Sequence, residues 1–166
     1  MKAMKSAILA LLATTALLPA QAKKPEFRYT ILIAKPAADV WSALTEKKII
    51  DQYYMVPARM LELKEGGKIS YGEDTDLITG TIEKIEAPKT LVHTFKFVGS
   101  DDSETRVAYE ITPMGDLMCS LTIVHSGFEQ EDQTFADISG GWPVVASSLK
   151  TFLETGKRLP WPKVEP

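Results

Sequence analysis

The fold is decided by residues 139–156, which read S-G-G-W-P-V-V-A-S-S-L-K-T-F-L-E-T-G. At 3.6 residues per turn, this stretch gathers most of its apolar side chains on one face, namely Trp142, Val145, Ala146, Leu149, Phe152 and Leu153. Ser148 falls on the opposite, polar face. Pro143 suits the first turn of a helix and Gly156 suits a left-handed stop, so the pattern predicts a helix over this segment. One amphipathic helix cannot bury its apolar face alone, and the rest of the chain must therefore supply a concave apolar partner.

The residues before this helix alternate between apolar and polar, which is typical of half-buried strands. Residues 27–34 place Phe27, Tyr29, Ile31 and Ile33 on one face and form the first predicted strand. Turn-rich sequences then separate six more predicted strands, at residues 60–63, 68–72, 77–86, 91–98, 105–112 and 117–125.

Two short helices are predicted between the first and second strands. They cover residues 39–44 and 46–53, with Thr45 as the N-cap of the second. The order of elements therefore predicts an α+β fold, in which a curved, seven-stranded antiparallel sheet wraps a long C-terminal helix.

The first 22 residues have the pattern of a secretory signal peptide. Lys2 and Lys5 precede an apolar run at residues 7–18, and an A-x-A site ends at Ala22. We therefore expect cleavage after Ala22 and a secreted or periplasmic protein without a membrane span in its mature form. The alternative, a buried N-terminal helix, is disfavoured because the run has no polar face.

The composition of the remaining chain bounds its partners. Residues 23–166 have the length of one domain, with a core at about 27–156 and a Pro-rich tail at 157–166. Without Lys2 and Lys5 the chain keeps 17 basic and 22 acidic residues, and the absence of a basic cluster makes nucleic acid an unsuitable partner. Cys119 is the only cysteine, so the chain forms no internal disulfide.

Short motifs in a fixed order link the sequence to a known family. They are Ile33-Ala34-Lys35-Pro36, residues 40–45, Gly66-Gly67-Lys68-Ile69, Gly80-Thr81-Ile82, His125-Ser126-Gly127-Phe128, Gly141-Trp142 and Leu153-Glu154-Thr155-Gly156. Together they resemble the activator-of-Hsp90-ATPase homologue 1-like family, within the START/Bet v 1-like (SRPBCC) superfamily, over residues 27–156. The resemblance implies a helix-grip fold with an internal apolar cavity. Many relatives hold lipids, sterols or polyketide-like molecules and some are enzymes, so the resemblance implies a role of one of these kinds.

The two histidines, His93 and His125, have the parity of the inward faces of their strands. With turn centres near residues 101 and 114–115, His93 would lie opposite Tyr109 and His125 opposite Glu104. The two rings would then be about 15 Å apart, which together with the lone cysteine predicts no metal site. Each histidine is open to two interpretations, a hydrogen-bonded structural group or a polar anchor for a ligand.

The candidate cavity residues are those expected to point between the sheet and the long helix, namely Tyr53, Tyr54, His93, Phe95, Tyr109, Leu121, His125, Trp142, Ala146 and Leu149. Tyr53 and Tyr54 are either core aromatics or the mouth of the pocket. Ala146 is small at a position where related sequences often carry a bulky aliphatic residue, so we expect it to face the cavity near Phe95 and Leu121.

No nucleophile motif such as G-x-S-x-G is present. The sequence therefore favours an exported protein that binds a small hydrophobic ligand without transforming it and without a cofactor. Two alternatives remain open. One is a cyclase- or hydrolase-type enzyme that uses a cavity histidine and tyrosine. The other is a protein-interaction or stress-related module that acts through the sheet surface or the tail at Trp161.

Overall fold

The computed structural model describes residues 23–160. In that range the chain forms β1 (Phe27–Ile33), α1 (Ala37–Thr45), α2 (Lys47–Tyr53), β2 (Ala58–Leu61), β3 (Lys68–Tyr71), β4 (Ile78–Glu86), β5 (Thr90–Phe97), β6 (Thr105–Pro113), β7 (Cys119–Ser126) and α3 (Gln133–Thr155). The predicted order of one strand, two helices, six strands and a long helix is confirmed.

The seven strands form one antiparallel sheet in the order β1-β7-β6-β5-β4-β3-β2. Only β1 departs from sequence order, because it pairs along its whole length with β7, from Phe27 opposite His125 to Ile33 opposite Cys119. The inward side chains of the sheet and the apolar face of α3 belong to one buried cluster. The predicted α+β fold, with a curved sheet closed on the C-terminal helix, is confirmed.

Helix α3 begins six residues earlier than predicted, at Gln133. Asp132 caps it by accepting a hydrogen bond from the backbone N–H of Phe135. The prediction that Pro143 occupies a first turn is therefore wrong, since Pro143 lies inside the helix. Burial of Trp142 beside it supplies the packing energy that offsets the low helix propensity of proline. The predicted stop is confirmed, because Gly156 ends the helix with φ 71°.

Two further sequence predictions about the helices are wrong. Thr45 ends α1 instead of capping α2, and its hydroxyl donates to the carbonyl of Trp41 in its own helix. Ser148 is fully buried although the helical wheel placed it on the polar face. Its hydroxyl donates to the carbonyl of Tyr53 at 2.8 Å, so α2 covers this part of α3 and the burial of a polar group is satisfied.

The predicted separation of the histidines is also wrong. His93 and His125 both lie opposite Val107, one from β5 and the other from β7. They are thus two strands apart on one rung, or roughly 10 Å. The error came from the turn centres: Phe95 pairs with Thr105, and Pro113 still pairs with Cys119, so the first turn is centred earlier and the second later than assumed.

The predicted signal peptide at residues 1–22 and most of the Pro-rich tail, including Trp161, lie outside the described residues. Between residues 23 and 160, none of the helices has the length and apolar character needed to cross a membrane.

Candidate functional site

A cavity of about 250 Å³ opens between the first half of α3, the chain that follows α2, and the adjoining ends of β4 and β5. Its walls are Tyr54, Met55, Val56, Leu77, Ile78, Phe95, Phe97, Asp137, Ile138, Gly141, Trp142 and Val145. Of these residues, Asp137 alone carries a charge, and its side chain is exposed at the rim. The cavity therefore suits an apolar molecule.

The local structure explains why these residues meet. Ile138, Gly141, Trp142 and Val145 follow the i, i+3, i+4, i+7 spacing that places side chains on one helix face. Gly141 leaves part of that face bare, since a Cβ there would meet no atom within 4 Å.

The mouth of the cavity is apolar as well. Met55 and Leu77 are each about half exposed, at 52% and 48%, and both line the opening. Arg158, just beyond α3, donates to the carbonyl of Tyr54 at 3.1 Å and fixes the chain that follows α3 beside this mouth. The cavity is thus a pocket with an open side, and a ligand can enter it from solvent.

Three of the ten residues expected at the cavity line it: Tyr54, Phe95 and Trp142. The others are buried in the core and absent from its walls, namely Tyr53, His93, Tyr109, Leu121, His125, Ala146 and Leu149. The expectation that Ala146 faces this cavity is wrong, because the cavity lies along the N-terminal half of α3, toward Ile138.

The wall residues that the sequence analysis did not name lie on the first half of α3, on the chain that follows α2, on β5, and at or just before the start of β4. They are Met55, Val56, Leu77, Ile78, Phe97, Asp137, Ile138, Gly141 and Val145. A capping signal was present for the helix: Asp132 stands three residues before Phe135, and Ile138 and Trp142 continue the apolar spacing.

His125 is the centre of a chain of buried hydrogen bonds behind the cavity wall. The indole N–H of Trp142 donates to His125 Nδ1 at 2.9 Å, and His125 Nε2 lies 2.7 Å from the hydroxyl of Thr105. That hydroxyl in turn donates to the carbonyl of Phe95 at 3.1 Å. Since a hydroxyl has one proton to give, the tautomer that satisfies every contact carries its proton on Nε2 and accepts at Nδ1.

This network holds His125 neutral. Burial and, to a smaller extent, the nearby His93 lower the pKa of His125 to about 3. A proton on Nδ1 would also confront the indole N–H of Trp142. His125 is therefore the hydrogen-bonded structural group that one of the two sequence interpretations proposed, and it holds a cavity-wall tryptophan in place.

His93 is different, because only one of its nitrogens is bonded. Nδ1 donates to the carbonyl of Thr94 at 2.7 Å, whereas Nε2 is the one buried side-chain nitrogen or oxygen between residues 23 and 160 without a hydrogen-bond partner. Burial lowers the pKa of His93 to about 4, against the opposing effect of the bond to Thr94. At neutral pH its Nε2 is a free lone pair inside the core.

The tyrosines near the cavity also remain uncharged. Tyr54 and Tyr71 pack with their ring centroids 4.9 Å apart, and burial raises the pKa of Tyr71 to about 12. Burial likewise raises the pKa of Tyr54 and Tyr109. The described part of the chain also brings together no group of three His, Cys, Asp or Glu side chains able to hold a metal ion. The site therefore offers shape, apolar surface and neutral polar groups to a ligand.

One known protein family matches the sequence of this chain. The sequence model described as "Activator of Hsp90 ATPase homolog 1-like protein" matches residues 34–154, well over half of the chain. The chain belongs to this family. The resemblance inferred from the motifs is thereby confirmed. No curated protein sequence matches the chain.

Solved structures share the family fold. CalU16 from Micromonospora echinospora superimposes with a TM-score of 0.67 at 20% identity, covering 79% of this chain and 77% of its own. An HSP90 activator from Plasmodium falciparum gives 0.67 at 20% identity, with 78% and 96% covered. The Aha1 dimer from Colwellia psychrerythraea gives 0.70 at 17% identity, with 80% and 98% covered.

In this family member, the cavity wall formed by α3 is fastened at its N-terminal end. Asp102, in the loop between β5 and β6, accepts hydrogen bonds from the backbone N–H and the hydroxyl of Thr134, at 2.8 and 2.7 Å. These bonds lower the pKa of Asp102. A carboxylate at the N-terminus of a helix is also favoured by the helix dipole. The loop thus ties the first turn of α3 to the strands that form the opposite wall.

Proposed function

We propose that this protein is an exported carrier or receptor for a small, neutral and largely apolar molecule, which it holds in the cavity between α3 and the ends of β4 and β5. The observation that carries the proposal is the cavity itself, since its walls are apolar and its one charged residue, Asp137, lies at the rim. A charged ligand would lose its hydration there without gaining a partner.

The volume of the cavity bounds the size of the ligand. An apolar cavity of about 150 Å³ binds benzene. The larger cavity here, about 250 Å³, therefore suits a compact body of one or two rings or an equivalent aliphatic group. The open side at Met55 and Leu77 allows a longer molecule to extend into solvent.

Catalysis is the second candidate, and the pair of His93 and Tyr109 is the observation that favours it, because their ring centroids lie 5.8 Å apart. The pKa values of these two groups favour binding over catalysis. A general base works best with a pKa near the operating pH. Burial moves His93 down to about 4 and Tyr109 upward, so neither group is poised to exchange a proton at neutral pH.

The export part of the proposal is supported by residues 1–22, with their charged start, apolar run and A-x-A site. It is tested by amino-terminal sequencing of the protein recovered from the periplasm or the medium. The expected first residue is Lys23. A mature protein that begins before Ala20 would contradict it. An exported family member would not meet cytosolic Hsp90, which is why ligand binding ranks above chaperone activation.

The binding part is tested with N-phenyl-1-naphthylamine, a neutral dye whose fluorescence rises in apolar surroundings. We expect saturable binding with one site per chain and displacement by smaller neutral aromatics. Absence of saturable fluorescence with folded protein, or displacement by anions as effective as that by neutral molecules, would contradict the proposal.

A further inference from the structure

Of the described residues in the cavity wall, three have a nitrogen or an oxygen in their side chain: Tyr54, Asp137 and Trp142. Two of these groups are not available to a buried ligand. The indole N–H of Trp142 already donates to His125 Nδ1 at 2.9 Å. Asp137 is exposed at the rim and accepts a hydrogen bond from the side chain of Gln133. The hydroxyl of Tyr54 is therefore the neutral polar group that the side chains of the wall offer inside the cavity.

The rest of Tyr54 is held in place by other contacts. Its backbone N–H donates to the carbonyl of Ile50 at 2.9 Å and closes the end of α2, and its own carbonyl accepts from Arg158 at 3.1 Å. Its ring packs against Tyr71, with centroids 4.9 Å apart, and edge-on to Tyr53 at 6.3 Å. A ligand would thus meet a hydroxyl on a side chain that is already ordered, which lowers the entropic cost of binding.

The hydroxyl of Tyr54 borders open space inside the protein. The hydroxyl of Tyr53 donates to the carbonyl of Ala43 at 3.0 Å, whereas that of Tyr54 makes no hydrogen bond to residues 23–160. In this range His93 Nε2 is the only fully enclosed side-chain nitrogen or oxygen that lacks a partner, so the hydroxyl of Tyr54 is not fully enclosed. Tyr54 is nevertheless only 9% exposed, and burial raises the pKa of its hydroxyl. The open space that this hydroxyl meets is therefore the cavity that Tyr54 lines.

We propose that the hydroxyl of Tyr54 is the polar anchor of the binding site, and that the ligand is a neutral, mostly apolar molecule with a carbonyl oxygen on its buried part, such as a ketone or an aldehyde. The hydroxyl donates its proton to the carbonyl oxygen in a hydrogen bond, and no covalent bond forms. This inference rests on the proposed binding function and adds the class of ligand.

The chemistry of the hydroxyl favours an acceptor on the ligand. The raised pKa of Tyr54 keeps its proton in place at neutral pH, so the hydroxyl can donate. A phenol is a stronger hydrogen-bond donor than acceptor, because the lone pairs of its oxygen delocalise into the ring. A carboxylate would also accept the proton, but its charge would be buried in an apolar cavity without a cation. A neutral carbonyl oxygen satisfies the hydroxyl without that cost.

The test uses two probes of nearly the same shape, 2-acetylnaphthalene and 2-isopropenylnaphthalene, in which a CH₂ group replaces the carbonyl oxygen. Each displaces N-phenyl-1-naphthylamine from the purified protein at pH 7.5, and the competition curve gives its dissociation constant. The variant Tyr54→Phe removes the hydroxyl and keeps the ring. Since only the ketone has a carbonyl group that loses hydration on binding, the informative comparison is between the two proteins for each probe.

We expect Tyr54→Phe to bind 2-acetylnaphthalene about 5-fold more weakly than wild type does, because one net hydrogen bond is lost. The affinity for 2-isopropenylnaphthalene should stay within about 2-fold of wild type. The matched control is Tyr71→Phe, since the ring of Tyr71 packs against Tyr54 but lies outside the cavity wall. Both probes should bind Tyr71→Phe as they bind wild type.

Infrared spectroscopy gives a second measurement that needs no variant. With carbon-13 in its carbonyl group, 2-acetylnaphthalene bound to wild-type protein should show a carbonyl stretch at lower frequency than in hexane, because a hydrogen bond weakens the C=O bond. A stretch at the hexane frequency would overturn the anchor, even if Tyr54→Phe failed to fold.

The outcomes separate this inference from the function on which it rests. If neither the dye nor the two probes bind wild-type protein, the binding function itself is wrong, and the anchor with it. If they bind but Tyr54→Phe changes both affinities equally or not at all, the anchor is wrong and the binding function stands. An equal loss of ketone affinity in Tyr71→Phe would also overturn the assignment to Tyr54.

Discussion

A larger side chain at Gly141 can fill part of the cavity without displacing the residues that form its walls. Gly141 lies in the wall on α3, and a Cβ built there meets nothing within 4 Å. Gly141→Leu adds four carbons, or roughly 100 Å³ if each occupies about the volume of a water in the liquid. That is close to half of the 250 Å³ cavity. We predict that this substitution blocks binding while the fold persists.

The substitution is expected to keep or raise stability and to weaken binding. Replacing a helical glycine by leucine stabilises the helix by up to about 0.8 kcal/mol, so the melting temperature should hold or rise. A dye excluded from half of the cavity loses the burial of at least two methylene equivalents at about 0.8 kcal/mol each, which weakens binding about 10-fold or more. The assay is a fluorescence titration with N-phenyl-1-naphthylamine, alongside a thermal melt.

Gly140→Leu is the matched control. Gly140 is the preceding residue of the same helix, its Cβ would also meet nothing within 4 Å, and it is exposed and outside the cavity wall. This variant should gain similar helix stability and bind the dye as wild type does. Equal dye affinity in the two variants would refute the reasoning, because the bound dye could not then occupy the space beside Gly141.

Three further predictions concern stability. The two buried histidines have pKa values of about 4 and about 3 in the folded protein, below about 6.5 in an unfolded chain, so protons bind the unfolded state first as the pH falls. The free energy of unfolding is therefore highest above about pH 6.5, and each histidine lowers it by about 1.4 kcal/mol per pH unit between pH 6.5 and 5. In urea unfolding, His93→Leu should reduce this pH dependence by about half. An unchanged pH dependence in His93→Leu would contradict the low pKa of His93 in the folded protein. Ser148→Ala should lower the free energy of unfolding by about 1–3 kcal/mol, because it leaves a buried carbonyl of α2 unpaired. The control Ser147→Ala, on the exposed side of α3, should change it by less than about 0.5 kcal/mol. Similar losses in the two variants would show that the buried hydrogen bond is not the cause. Ala146→Leu should overpack the closed core and cost about 1–3 kcal/mol in the same assay, and a cost near zero would reveal additional space there.

The strands and their order along the chain could be predicted from the sequence because alternation of apolar and polar residues is a local signal. The first strand illustrates this, since its odd-numbered residues from Phe27 to Ile33 all face the interior. The end of α3 could be predicted as well, because Gly156 adopts the left-handed conformation that stops a helix.

The beginning of α3 could not be predicted from propensity. Gly140, Gly141 and Pro143 are poor helix formers, and they persist in the helix because Ile138 and Trp142 are buried against the sheet. Tertiary packing therefore determines where α3 begins, and the wall residues Asp137 and Ile138 were missed for that reason.

The distance between the two histidines could not be predicted from the sequence, for a geometric reason. Moving the centre of a turn by one residue shifts the pairing across it by two residues. Two such errors in opposite directions separated His93 from His125, although both lie opposite Val107. The unpaired state of His93 Nε2 was equally out of reach, because it depends on the choice of the Thr94 carbonyl by the other ring nitrogen.

The most direct test of the central claim is a set of nuclear Overhauser effects between bound 2-methylnaphthalene and the methyl groups of the isotope-labelled protein. The cavity predicts contacts from the probe protons to Ile78, Ile138 and Val145, three methyl-bearing residues of its wall. Leu117, which is 79% exposed in the turn before β7, supplies the reference for nonspecific association. Contacts to the three wall residues and none to Leu117 are the predicted result. Contacts confined to Leu117 and other exposed side chains, or none at saturating probe, would contradict the account.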